Sequence, residues 1–68
     1  MNYLEWSQEY VDTAEKLGEI ILKLRKQRRN SSLSRKKEID AKLRQYRTCY
    51  GECMEIANHL KKRHREAA

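Results

Sequence analysis

Sixty-eight residues allow one small domain at most, and a chain of this size buries too little surface for a large core, so it leans on staples, metals or association for stability. With 38% charged residues, no Pro and two Gly, the composition indicates an all-α protein, and the formal charge of +6 permits an acidic partner. The longest uncharged run is far too short to span a bilayer, so no membrane association is expected. Glu5 and Glu9 stand where a signal peptide would need an apolar stretch, and two Cys without an export signal read as reduced thiols, so the expected location is cytoplasmic.

The first predicted element is a helix over about residues 3 to 29. Asn2 is placed to cap it, with Glu5 three residues on, and Glu5, Glu9 and Asp12 lie where the helix dipole favours carboxylates. Tyr3, Ser7, Tyr10, Ala14, Leu17, Ile21 and Leu24 recur at spacings of four and three, the seam of a helix that packs along another helix. Gly18 falls off this seam and reads as a mild weak point or a place of close approach.

Asn30-Ser31-Ser32 is the one break in the pattern, because short polar side chains compete with the helical backbone, and a turn is expected over about 30 to 33. A second helix follows over about 34 to 65, with Ser32 or Ser34 as its cap. Its seam is Ile39, Leu43, Tyr46, Tyr50, Cys53, Ala57 and Leu60, with His64 one step further. A single continuous helix is the rival arrangement. Continuing the first seam past Leu24 lands on Arg28, Ser31, Arg35, Glu38 and Lys42, whereas the second seam starts at Ile39, one residue out of phase. The phase break therefore predicts an antiparallel two-helix hairpin. Folding at residues 31 to 32 sets Leu24 against Ile39, Ile21 against Leu43, Leu17 against Tyr46, Ala14 against Tyr50 and Ser7 against Ala57.

Apolar residues continue beyond the seam at Leu4, Trp6, Val11, Ile20, Cys49, Met54 and Ile56. Together they make a stripe wider than two helices can bury. A homodimer, two hairpins forming a four-helix bundle, is the expected way to cover it, and a separate protein partner supplying a helix is the alternative.

Charge is unevenly distributed. Residues 1 to 22 hold Glu5, Glu9, Asp12, Glu15 and Glu19 against Lys16, a net of −4. Residues 23 to 37 hold Lys23, Arg25, Lys26, Arg28, Arg29, Arg35, Lys36 and Lys37 with no acid, a net of +8. The last three crowd the positive end of the second helix, where a cation costs a few tenths of a kcal/mol (about 0.3–1 kcal/mol at most when exposed). These eight residues are the candidate nucleic-acid or anion-binding site, suited to the backbone of duplex or structured RNA or DNA. No aromatic residue lies between Tyr10 and Tyr46, so the tip lacks a stacking platform for single strands. The competing reading is a solvated turn that keeps the protein soluble. A second basic run, Lys61, Lys62, Arg63 and Arg65, is expected to pair across the hairpin with Glu5 and Glu9.

Cys49, Cys53, His59 and His64 have the residue types of a zinc site without its spacing. His64 lies about 16 Å along the helix from Cys53, and one chain cannot close four ligands, so no metal is expected and the thiols read as core residues. No Ser-His-acid set, inward carboxylate pair or glycine-rich phosphate loop is present, so no catalytic residue and no cofactor are expected and the protein reads as a non-enzyme. The segment Glu38-Ile39-Asp40-Ala41-Lys42-Leu43-Arg44-Gln45-Tyr46 resembles the second-helix motif of the small sporulation-phosphatase inhibitors, which are also helical hairpins. That family has Ser-Gln before the Glu, where this chain has Lys36 and Lys37. The resemblance covers nine residues and implies binding of a partner protein through Glu38 and Asp40. The residues themselves indicate a small self-associating interaction or regulatory module, with nucleic-acid binding at the tip as the alternative.

Overall fold

The computed structural model describes residues 2–67. Two helices account for nearly all of them: α1 (Tyr3–Arg29) and α2 (Leu33–Ala67). They pack against each other as a hairpin. Arg28, at the end of α1, reaches Asp40 near the start of α2, while Tyr3 shares a groove with Lys62 and Arg63 near the end of α2, so the helices run antiparallel. The hairpin is 53 Å long and 14 Å across, and its length is that of α2 alone, about 52 Å at the helical rise. Among the described residues no helix is long and apolar enough to cross a membrane.

The ends of the helices are set by short polar side chains. Asn2 Oδ1 accepts the Glu5 N–H at 2.8 Å, closing the start of α1. α1 ends at Asn30, whose backbone N–H donates to the Gln27 carbonyl at 3.2 Å, and the Ser31 N–H donates to the Arg28 carbonyl at 3.2 Å. Of the two candidate caps for α2, Ser32 is the one used: its Oγ accepts the Arg35 N–H at 3.3 Å and its carbonyl accepts the Lys36 N–H at 2.8 Å. α2 thus starts at Leu33 and continues to Ala67, two residues beyond the expected end. The bend is made without glycine and without any residue at positive φ.

The buried layer is thin. Ala14, Ile39, Leu43, Ala57 and Leu60 are its apolar members, and Ser7 is buried with them. All six lie on the seam. Ile39 and Leu43 fill the end near the turn, and Ser7, Ala57 and Leu60 fill the open end. Mid-length is less well covered: Leu17, Tyr46 and Cys53 are half-buried, and Tyr50 is 40% exposed. Gly18 lies beside the Tyr50 ring there. A Cβ built at Gly18 would stand 3.8 Å from Tyr50 Cε2, an ordinary contact, so the helices do not require a glycine at this point.

Candidate functional site

Two surfaces stand out, the apolar flanks and the basic tip. With the seam written as heptad positions a and d, α1 carries a at Ser7, Ala14 and Ile21, and α2 carries a at Leu43, Tyr50 and Ala57. The flanking e positions are Leu4, Val11, Gly18 and Arg25 on α1, and Asp40, Arg47, Met54 and Lys61 on α2. The g positions are Trp6, Thr13, Ile20 and Gln27, and Lys42, Cys49, Ile56 and Arg63. Antiparallel helices wind in opposite senses to one observer, so e falls with e on one side of the hairpin and g with g on the other. The grooves agree. Leu4 shares one with Asn58 and Lys61, and Tyr3 shares another with His59 and Arg63.

The seven flank residues therefore do not form one stripe. Leu4, Val11 and Met54 belong to the e side, while Trp6, Ile20, Cys49 and Ile56 belong to the g side. Leu4 is 48% exposed, Trp6 44%, Ile20 38% and Ile56 41%, whereas Val11, Cys49 and Met54 are half-buried. The two sides differ in charge. On the e side Arg25, Asp40, Arg47 and Lys61 are ionic, and three of these are on α2. On the g side only Lys42 and Arg63 are, one toward each end of α2. Leu22, 58% exposed beside Gly18, and Leu33, 75% exposed at the start of α2, lie outside the anticipated flanks. Leu22 follows the a residue Ile21 and so falls at b, away from a, d, e and g, whereas Leu33 is seven residues before Asp40, at an e position ahead of the first seam residue Ile39.

At the tip, two of the eight cations are held by acids that follow them in sequence. Arg28 Nε donates to Asp40 Oδ1 at 2.7 Å, and Arg28 Nη2 donates to Oδ2 at 3.3 Å, a two-pronged bond between the helices. Arg35 Nη1 donates to Glu38 Oε2 at 2.8 Å, one turn along α2. The Arg28 bond holds the Asp40 carboxyl below the usual carboxylate value; desolvation opposes it, and the charges of Arg28, Arg44 and Arg47 add lesser contributions in the lowering direction. Lys23, Arg25, Lys26, Arg29, Lys36 and Lys37 make no ion pair among the described residues. The resemblance-based contact residues Glu38 and Asp40 are thus already engaged within the chain.

The expected pairing of Lys61, Lys62, Arg63 and Arg65 with Glu5 and Glu9 is not formed; the ion pairs among the described residues are those at the tip. The open end is organised otherwise, with Arg63 Nε donating to His59 Nε2 at 3.2 Å. Cys49 and Cys53 are free thiols, both half-buried, and no group of three or more His, Cys, Asp or Glu able to hold a metal occurs among the described residues. The chain matches no family model, no curated protein and no solved structure.

Proposed function

We propose that this chain is a small non-enzymatic association module, cytoplasmic in location, in which two hairpins pair through their apolar flanks into a four-helix bundle that serves protein–protein interaction or regulation. The observation that carries this reading is the thinness of the buried layer. Its three large apolar side chains, Ile39, Leu43 and Leu60, contribute about 2 kcal/mol each. Trp6, Ile20 and Ile56 remain more than a third exposed, and covering them in a second copy supplies apolar burial that the single hairpin lacks. Sedimentation equilibrium is expected to give about twice the 8.2 kDa chain mass. Trp6→Lys is expected to shift the protein toward monomer and lower its melting temperature. A wild-type chain that is folded, monomeric and indifferent to dilution would overturn the proposal.

A second reading, nucleic-acid binding at the tip, is supported by the six cations there that make no ion pair among the described residues. The informative variant spares the two ion pairs: Arg25, Lys26, Arg29 and Lys37 changed together to Gln. If the tip binds a phosphate backbone, wild type should lose affinity with salt at a slope of about −0.9 in log–log form per contact on duplex DNA, and the variant should bind weakly with a flatter slope. Equal, weak binding by both proteins to duplex DNA, duplex RNA and a stem-loop would leave the tip as solvating charge.

A further inference from the structure

The g side and the charge at the tip together determine how two copies would meet. We infer that the hairpins pair g side to g side with their tips at opposite ends, so that the two Cys49 residues face each other across the two-fold axis. This inference rests on the self-association proposed above.

The side is chosen by charge and burial. A docked face cannot bury lone ions cheaply, and only the g side has an uncharged centre: Trp6, Thr13 and Ile20 on α1, with Cys49 and Ile56 on α2. The e side would bury Arg47 at its middle. The area suffices, since the 53 × 14 Å outline gives each copy a footprint of roughly 700 Å², near the ~800 Å² per partner of a standard stable interface.

The direction is chosen by the tip. Residues 23 to 40 keep a net charge of +6 after Glu38 and Asp40 are counted against the eight cations. With both tips at one end, two such clusters would sit about 10 Å apart, within reach of each other at physiological ionic strength. With tips at opposite ends they are separated by most of the 53 Å length, several screening lengths.

A face-to-face two-fold axis of this kind lays α1 over its copy and α2 over its copy, each pair antiparallel. Cys49 is one residue from the middle of α2 (Leu33–Ala67), so an axis at mid-length passes within about 1.5 Å of its level. On α1 the same level is Thr13, with Trp6 and Ile20 seven residues to either side, so Trp6 of each copy meets Ile20 of the other. Helix axes 8–10 Å apart, less the ~2.3 Å Cα radius of each helix, set the two Cys49 Cα atoms about 5 Å apart. That is within the range a disulfide spans.

The test is oxidation by diamide of single-thiol variants, with sedimentation equilibrium on the same samples. Diamide takes two electrons and two protons from a pair of thiols, forming one Sγ–Sγ bond and the hydrazine. Cys53→Ser, which keeps Cys49, should give a covalent dimer about tenfold or more faster than Cys49→Ser, which keeps Cys53, because the interface raises the effective thiol concentration. The triple variant Thr13→Cys, Cys49→Ser, Cys53→Ser should cross-link as well. A reversible dimer that fails to cross-link through Cys49 and through position 13 overturns the inference and leaves self-association standing. A monomer overturns both.

Discussion

Ser7 is the polar member of the buried layer, and its hydroxyl donates to the Leu4 carbonyl at 2.7 Å, so burial leaves it satisfied without a partner on α2. Its small size, with Ala57 opposite in the seam, lets the open end close tightly. Asp40 works in the other direction, linking the helices across a gap of 12 residues in sequence. Its lowered carboxyl value fixes the sign of a pH effect. A depressed folded-state value means the stabilisation is fully present above the ordinary carboxylate value of 3.8 and is lost as pH falls through the still lower folded value. Wild type should therefore melt above Asp40→Asn at neutral pH, and the difference should vanish at strongly acidic pH when both are followed by circular dichroism. A difference that persists in acid would mean that Arg28 and Asp40 contribute nothing through ionisation.

Each helix is specified by several signals at once, and this is why so much of it was legible in the sequence. The seam periodicity, the Asn2 cap and the polar Asn30-Ser31-Ser32 break agree on where the helices lie, and the one-residue phase shift between Leu24 and Ile39 argues for a bend over a continuous helix. What the sequence could not supply was the polar contact between the helices. The Arg28–Asp40 bond depends on side-chain reach across the turn, and an acid-free count over residues 23 to 37 stops short of the Asp that completes it. The flanks were legible as apolar positions, but their division between two sides follows only from how antiparallel helices wind. α2 also contains its own weak point. Gly51 lies in the helix interior with nothing within 4 Å of an added Cβ. Gly51→Ala should therefore stabilise the hairpin by about 1 kcal/mol. In a domain of this size that is a rise of about 4–8 °C in melting temperature. An unchanged or lowered midpoint would show that the Gly51 surface is covered in solution.

For the whole molecule, shape and charge act together. A rod 53 Å long with its cations gathered at one end has a direction, and its apolar surface runs lengthwise along both sides. In the proposed self-pairing of the rod, the charged end sets the orientation and the flank with an uncharged centre sets the face. Its other surfaces then stay available. In the g-side pairing, the e-side residues Leu4, Val11 and Met54, with Leu22 beside Gly18, remain on the outside of the bundle, where a further helix could lie.

The bend has an implication for chain connectivity. None of its residues occupies a positive-φ conformation, so nothing in the backbone of Asn30, Ser31 or Ser32 prevents these residues from joining the helices on either side. What holds the chain folded back is a few side-chain bonds and the pairing of two out-of-phase seams. Replacing all three residues with Ala removes the caps and favours helix throughout. The triple variant should then open toward a rod of roughly 100 Å. Two such rods would recover the lost contacts by each pairing its first half with the other's second half. Small-angle scattering would register this exchange as a near doubling of the longest dimension, and an unchanged value would show that the seam alone suffices to keep the chain bent.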